Sequence, residues 1–205
     1  MRKKPTQQRS QQAVEALIQA TGQVIAEHGL DGLTTIKVAA RAGISIGSLY
    51  QYFENKEALL AALQDRLTRE LSDLVNRTAP PLLNADIETI VRSLLLAAFD
   101  FFESEQGLYL ELLRNWYRLD IARGLHHFEQ NMLEVTRAYL IAHARDLRLG
   151  NVPAQTFVVI NSVVFTLLRY LSLPQRPLFD RAQLIEELTV LIARYVSGGA
   201  RAGGA

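Results

Sequence analysis

Cysteine is absent from all 205 residues. That single absence excludes a disulfide framework, thiolate catalysis, a zinc ribbon, an iron–sulfur cluster and thiol redox sensing. Methionine occurs only at Met1 and Met132, and strand-like alternation of apolar and polar residues is nearly missing. Long hydrophobic runs are missing too. The longest, Phe157 to Leu168, covers 12 positions and is interrupted by Asn161, Ser162 and Thr166, whereas a bilayer helix needs roughly 20 apolar residues. The opening MRKKPTQQRSQQ is basic and polar with no apolar segment behind it, unlike a signal peptide. These absences lead to the expectation of a soluble, cytoplasmic protein that spans no membrane.

Catalytic signatures are equally scarce. No GxSxG, P-loop, GxGxxG or HExxH occurs, and the glycines fall at breaks between helical patterns. Glu103/Glu105 and Glu186/Glu187 are carboxylate pairs, but such close neighbours on a helix point to different faces. Adjacent His126 and His127 cannot both reach one metal from a regular helix. The expectation is a protein without enzymatic activity, metal or cofactor.

Against these absences stands a composition that is 49% hydrophobic and 21% charged. It is too apolar for a disordered chain and supports a small module plus a core of roughly 100–150 residues. The net charge of +1 conceals an asymmetry. Residues 1–56 hold seven Lys/Arg against four acids, and residues 57–205 hold 15 Arg against 17 acids. Every lysine lies at or before position 56. Such a split suggests that the N-terminal quarter meets a polyanion while the remainder does something else.

Helical periodicity dominates. Val14, Leu17, Ile18, Thr21, Val24 and Ile25 mark one face of a helix over 11–28, which Gly29 closes. Thr34 is positioned to cap a short helix to Ala42, without the usual acidic partner because Lys37 stands three residues on. Gly43 ends that helix, and Ser45 is positioned to cap a third over Ile46 to Phe53. Leu60, Leu63, Leu67, Leu71 and Leu74 form the stripe of a long helix from Asn55-Lys56 to about Arg77, before Pro80-Pro81. Further helices are expected over 86–103, 107–119, 120–149, 154–173 and, behind Asp180, to Val196. The reading is an all-α chain of about nine helices in three parts. Residues 1–55 form a basic arm and helix-turn-helix, 56–197 a helical regulatory and dimerisation domain, and 198–205 a flexible tail.

The strongest chemical signal lies in LDGLTTIKVAARAGISIGSLYQYFENK, residues 30–56. Two short helices around a glycine-containing turn form a helix-turn-helix, whose second helix can enter a DNA major groove. Val38, Ala39, Ala42, Ile44, Leu49 and Phe53 supply its small core, leaving Ile46, Gly47, Ser48, Tyr50 and Tyr52 for the exposed faces. Lys56 adds a positive charge at the same edge. The alternative is that both tyrosines belong to an ordinary amphipathic surface.

This segment resembles the DNA-binding domain of TetR-family transcriptional regulators, over about residues 11–60, most closely in SIGSLYQYFENKEALL from Ser45 to Leu60. The resemblance implies DNA-binding roles for Thr34, Thr35, Ser45, Ile46, Gly47, Ser48, Tyr50, Tyr52 and Lys56. Within that set it puts Thr35, Tyr52 and Lys56 on phosphates, and Ile46, Gly47, Ser48 and Tyr50 on bases. The chain departs from the family at Ile46, which suits a thymine methyl and not a bidentate guanine contact, and at Ile36, which offers no polar group. It departs again at Glu54, a negative charge where proline is frequent. Shape readout and the basic arm Arg2–Arg9 in the minor groove are therefore expected to share the specificity.

The C-terminal two thirds resemble the family only in helix count and order. The helix around Phe157, Val158, Val159, Ile160, Val163, Val164, Phe165, Leu167 and Leu168 is apolar all round and so should be buried all round. The last helix carries Leu184, Ile185, Leu188, Leu191, Ile192 and Tyr195 on a broad apolar stripe. In the resembling family these two helices pair with their symmetry mates, which implies a homodimer on a palindromic double-stranded DNA operator. Phe99, Asp100, Phe102, Tyr109, Trp116, Asn131, Asn161 and Phe165 are candidates to line a pocket for a small hydrophobic or aromatic effector. The expectation is a ligand-responsive repressor. An activator, or a helical interaction module without an effector, remains the alternative.

Overall fold

The computed structural model describes residues 4–104, 109–115, 119, 122–143, 151–173 and 178–197. Every regular element among them is helical: α1 (Lys4–His28), α2 (Thr35–Ala42), α3 (Ile46–Tyr50), α4 (Lys56–Thr78), α5 (Ile87–Ser104), α6 (Leu110–Arg114), α7 (Ala122–Ala142), α8 (Val152–Leu171) and α9 (Arg181–Val196). A single 3-10 turn, Pro80–Leu82, follows α4.

The helices fall into two compact units. The first comprises Met1–Leu67 and Glu105–Ile121, and the second Thr68–Ser104 and Ala122–Ala205. The division falls inside α4 and not at the expected 55/56 boundary, because the first turns of α4 bury Leu59 and Leu63 completely. Of the expected α4 stripe only Leu63 is fully buried, joined by Leu59 and Val75, while Leu60, Leu67, Leu71 and Leu74 are partly buried.

In the first unit α1 packs on α2 and α6, and α2 packs on α3. Its core is Leu17, Val24, Ile25, Leu33, Val38, Leu49, Leu59, Leu63, Tyr109 and Leu112. Helix α1 begins at Lys4 instead of residue 11. Gln and Arg between Thr6 and Gln12 are good helix formers, and Pro5 sits in the first turn, where a missing N–H does no harm. The expected arm Arg2–Arg9 is therefore helical from Lys4 onward.

The second unit is built on α5 against α9 and α7 against α8. Its core joins Ile90, Leu95, Phe99, Tyr139, Leu167, Ile185, Leu188 and Ile192. Asn151 caps α8 through Ala154 N–H at 3.1 Å, so Pro153 lies in the first turn and does not precede the helix. Asp180 and Gln183 form a full capping box at α9. Arg181, a cation at the unfavourable end of a helix dipole, is held by Asp100 and Glu103 of α5 and lies 5.2 Å above the Phe99 ring. Arg92 pairs with Glu186 between the same two helices.

The expected all-round burial of α8 does not occur within one chain. Thr156, Ile160, Leu167 and Leu168 are buried, while Phe157 is 58% exposed and Val158 and Phe165 are also open. On α9, Leu191 is 57% exposed and Tyr195 is exposed beside it in the helical register. Helix α8 is long and apolar enough to cross a membrane by length and composition, yet it packs against α7 and α9 here.

Leu49 is the fully buried anchor of α3. Leu49→Ala is expected to lower unfolding stability by about 2–5 kcal/mol, against about 1 kcal/mol for removing the helix cap with Ser45→Ala. Urea unfolding followed by circular dichroism measures both, and equal losses would contradict this ranking.

Candidate nucleic-acid interface

The geometry of α3 is set by its flanks. Gly43 adopts φ 66, ψ 28, a left-handed conformation that glycine takes without strain. Its N–H bonds the Ala40 carbonyl at 3.2 Å, and the Ile44 N–H bonds the Ala39 carbonyl at 3.0 Å. The last turn of α2 is thereby closed and the chain is redirected into Ser45. Ser45 Oγ then accepts from Ser48 N–H at 3.1 Å, and its hydroxyl meets that of Ser48 at 2.8 Å. Thr34 caps α2 in the same way through Lys37 N–H at 3.2 Å.

Thr35, at the start of α2, touches the far end of α3. Its hydroxyl lies 3.2 Å from the Tyr50 hydroxyl, which joins two of the candidate DNA-binding residues directly. Asn55 Oδ1 accepts from Ala58 N–H at 2.8 Å, capping α4 and leaving Lys56 exposed in its first turn.

Exposure along this face is largely apolar or aromatic. Ile36 is 72% exposed, Tyr50 53%, Ile46 40%, and Tyr52 is open as well. Gly47 is exposed, and a Cβ placed there would meet nothing within 4 Å. Neither its backbone angles nor its neighbours require glycine, so the lack of a side chain matters only to a body approaching from outside. Glu54 is exposed beyond Phe53.

The polar groups, in contrast, are mostly engaged within the protein. Lys37 Nζ donates to the Gly32 carbonyl at 3.1 Å. Arg41 grips both Glu27 carboxylate oxygens, tying α2 to α1, with Nη1 to Oε1 at 2.7 Å. That hydrogen-bonded guanidinium holds Glu27 below the ordinary carboxylate range, and the carboxylate pushes Arg41 up. Three residues here carry no signal in the sequence pattern: Glu27, Arg41 and Gln51. Glu27 and Arg41 stand 14 positions apart, and no local spacing announces their pairing. Gln51 is exposed at the end of α3, one helical turn on from Gly47, with an amide of the kind that reads adenine.

The residues proposed to line an effector pocket are distributed over both units. Phe99 and Phe102 are buried in the second unit, and Tyr109 in the first. Asp100 is exposed and paired with Arg181. Asn161 donates to Glu129 at 3.0 Å and to the Phe157 carbonyl at 2.9 Å. Asn131 keeps a buried amide nitrogen with no hydrogen-bond partner among the described residues. Phe165 lines an open groove of about 550 Å³ with Tyr170, Phe179, Leu184 and Leu191. Trp116 lies outside the described residues. Among the described residues no group of three His, Asp or Glu side chains could hold a metal ion.

Comparison with known proteins bears on the first unit most directly. Residues 17–63 match the model of bacterial regulatory proteins of the tetR family. The chain is 36% identical over 118 residues to the HTH-type transcriptional regulator BetI of Cronobacter sakazakii, covering 58% of this chain and 56% of that protein. It is 30% identical over 108 residues to the nucleoid occlusion factor SlmA of Glaesserella parasuis, covering 53% of this chain and 51% of that one. The chain thus spans about half the length of the curated relatives it matches. The regulator FadR of Bacillus subtilis, solved with stearoyl-CoA, shares the fold at a TM-score of 0.69 and 18% identity, covering 89% of this chain and 98% of its own.

The Glu27–Arg41 clamp has a definite pH sign. Because the folded Glu27 titrates below its ordinary value of 4.5, its stabilisation is complete above that range and is lost as pH falls through the lowered folded value. Glu27→Gln should therefore destabilise the protein near pH 7. The gap to wild type should close toward pH 3, as read from urea midpoints. A gap independent of pH would show that the charge is not the cause.

Proposed function

We propose, from an N-terminal module that belongs to the tetR family of bacterial regulatory proteins, that this chain is a DNA-binding transcriptional regulator. It acts as a homodimer on a palindromic operator, represses there, and is released by a small, mainly hydrophobic effector. The observation that carries the DNA-binding part is the open face of α3. Ile46, Gly47 and Tyr50 face outward while Leu49 on the same short helix is fully buried. A helix so short contributes little packing of its own, and its rigid mounting suits presentation to a groove. In this reading Thr34, Thr35, Ser45, Tyr52 and Lys56 position the backbone of the DNA, and Ile46, Gly47, Ser48 and Tyr50 meet base edges.

Dimerisation is supported by the apolar residues that α8 and α9 leave open: Phe157, Val158, Phe165, Leu191 and Tyr195. A twofold dimer on a palindrome would need its two copies of α3 about 34–36 Å apart, one turn of DNA. The effector belongs in the second unit. The buried amide of Asn131 needs a hydrogen-bond acceptor, and the neighbour FadR was solved with a long-chain acyl ligand. Helix α4 runs unbroken from the first unit into the second and is the element through which the effector would alter operator affinity. The effector must bind the DNA-free state more tightly, since equal affinity shifts nothing.

Two measurements test this reading. Light scattering should give a mass about twice 23.0 kDa, and Leu191→Glu should shift it toward the monomer and weaken operator binding; a monomeric wild type would overturn the dimer. Capture of genomic fragments by the purified protein should enrich one short palindrome, with affinity falling steeply as salt rises. Binding no tighter than to bulk DNA, before and after stripping and refolding the protein, would overturn the regulator.

A further inference from the structure

We infer that the recognition face reads its operator mainly through the C5-methyl groups of thymine, so that the base pairs beneath α3 are A·T or T·A. The inference rests on the DNA-binding reading above and goes beyond it by naming the chemistry that is read. Three observations carry it. Ile46 on α3 and Ile36 on α2 are exposed aliphatic side chains. The Thr35–Tyr50 contact brings the α2 turn that bears Ile36 to the end of α3. No folded-state packing accounts for either isoleucine, and an exposed β-branched side chain on a recognition element finds an apolar partner in DNA only at a thymine methyl.

The second observation is that most polar groups of α2 and α3 already have internal partners. Ser45 and Ser48 bond to each other, Thr34 to Lys37 N–H, Thr35 to Tyr50, Lys37 to the Gly32 carbonyl, and Arg41 to Glu27. No Arg or Lys is left on α2 or α3 for a bidentate guanine contact. The third is Gln51, exposed one turn beyond Gly47. Its amide suits the N6/N7 edge of adenine, whose paired thymine presents the methyl. With no side chain at Gly47, the α3 backbone can come close to the bases, bringing both groups within reach. Apolar and amide readers thus agree on the same base pairs.

The test uses the full-length protein and a random-sequence DNA pool. Selection should return a half-site with A·T pairs at the positions that α3 faces. Replacing each thymine there by deoxyuridine removes only the methyl and should weaken binding about three- to fivefold per position. The same replacement outside the half-site should leave affinity unchanged. In Ile46→Ala, which alters an exposed residue, the uracil penalty should vanish at one position, and in Ile36→Ala at another. A selected site whose affinity is indifferent to uracil, or a penalty that survives in both variants, would overturn the inference and leave the regulator standing. A pool that yields no preferred sequence would overturn both.

Discussion

The turn between α2 and α3 is the constraint on which the first unit depends. Left-handed backbone at Gly43 lets the chain reverse within two residues, and Ser45 immediately restarts it as a helix. Leu49 then fixes the rotation of α3 about its axis, since only one rotation buries that side chain and leaves Ile46 and Tyr50 outside. A bulkier residue at Gly43 would strain the reversal and change the direction of α3 before any contact with DNA was lost. The Thr35–Tyr50 hydroxyl contact closes the arrangement from the other end.

The two units use different means to hold their helices. The first ties α1 to α2 through Glu27–Arg41 and α1 to α4 through Glu15–Arg66, around a tightly closed aliphatic core. The second couples α5 to α9 by ion pairs at two places, with Phe99 meeting Tyr170 edge-on at 5.6 Å. Exposed ion pairs contribute little each. Their value here is directional, because Arg181 ties the first turn of α9 to two successive acidic residues on one face of α5.

Local chemistry was legible in the sequence, and distant partnerships were not. Thr34, Ser45 and Asp180 announce helix starts by residue type, and Gly29 and Gly43 announce the stops. Asn151 was hidden as a cap because the following Pro153 reads as a breaker, although proline is well placed in a first turn. The start of α1 was misread because polarity near Arg9 suggested an arm, whereas glutamine and arginine favour helix. Asp100 stands in an apolar run with no local partner, because Arg181, which it pairs with, lies 81 residues away.

If the chain binds DNA as proposed, the commitment of Arg41 to Glu27 also bears on how it would find its site. Each cation held within the fold is one fewer to displace counterions from DNA, so the grip on arbitrary sequence is correspondingly light. A light grip shortens each visit to the wrong place. A chromosome presents an immense excess of wrong places, and a protein that leaves them quickly spends more of its time free to sample others. On the proposed DNA-binding reading, the ion pair between α1 and α2, a stabilising element by position, would thereby set the tempo of the search.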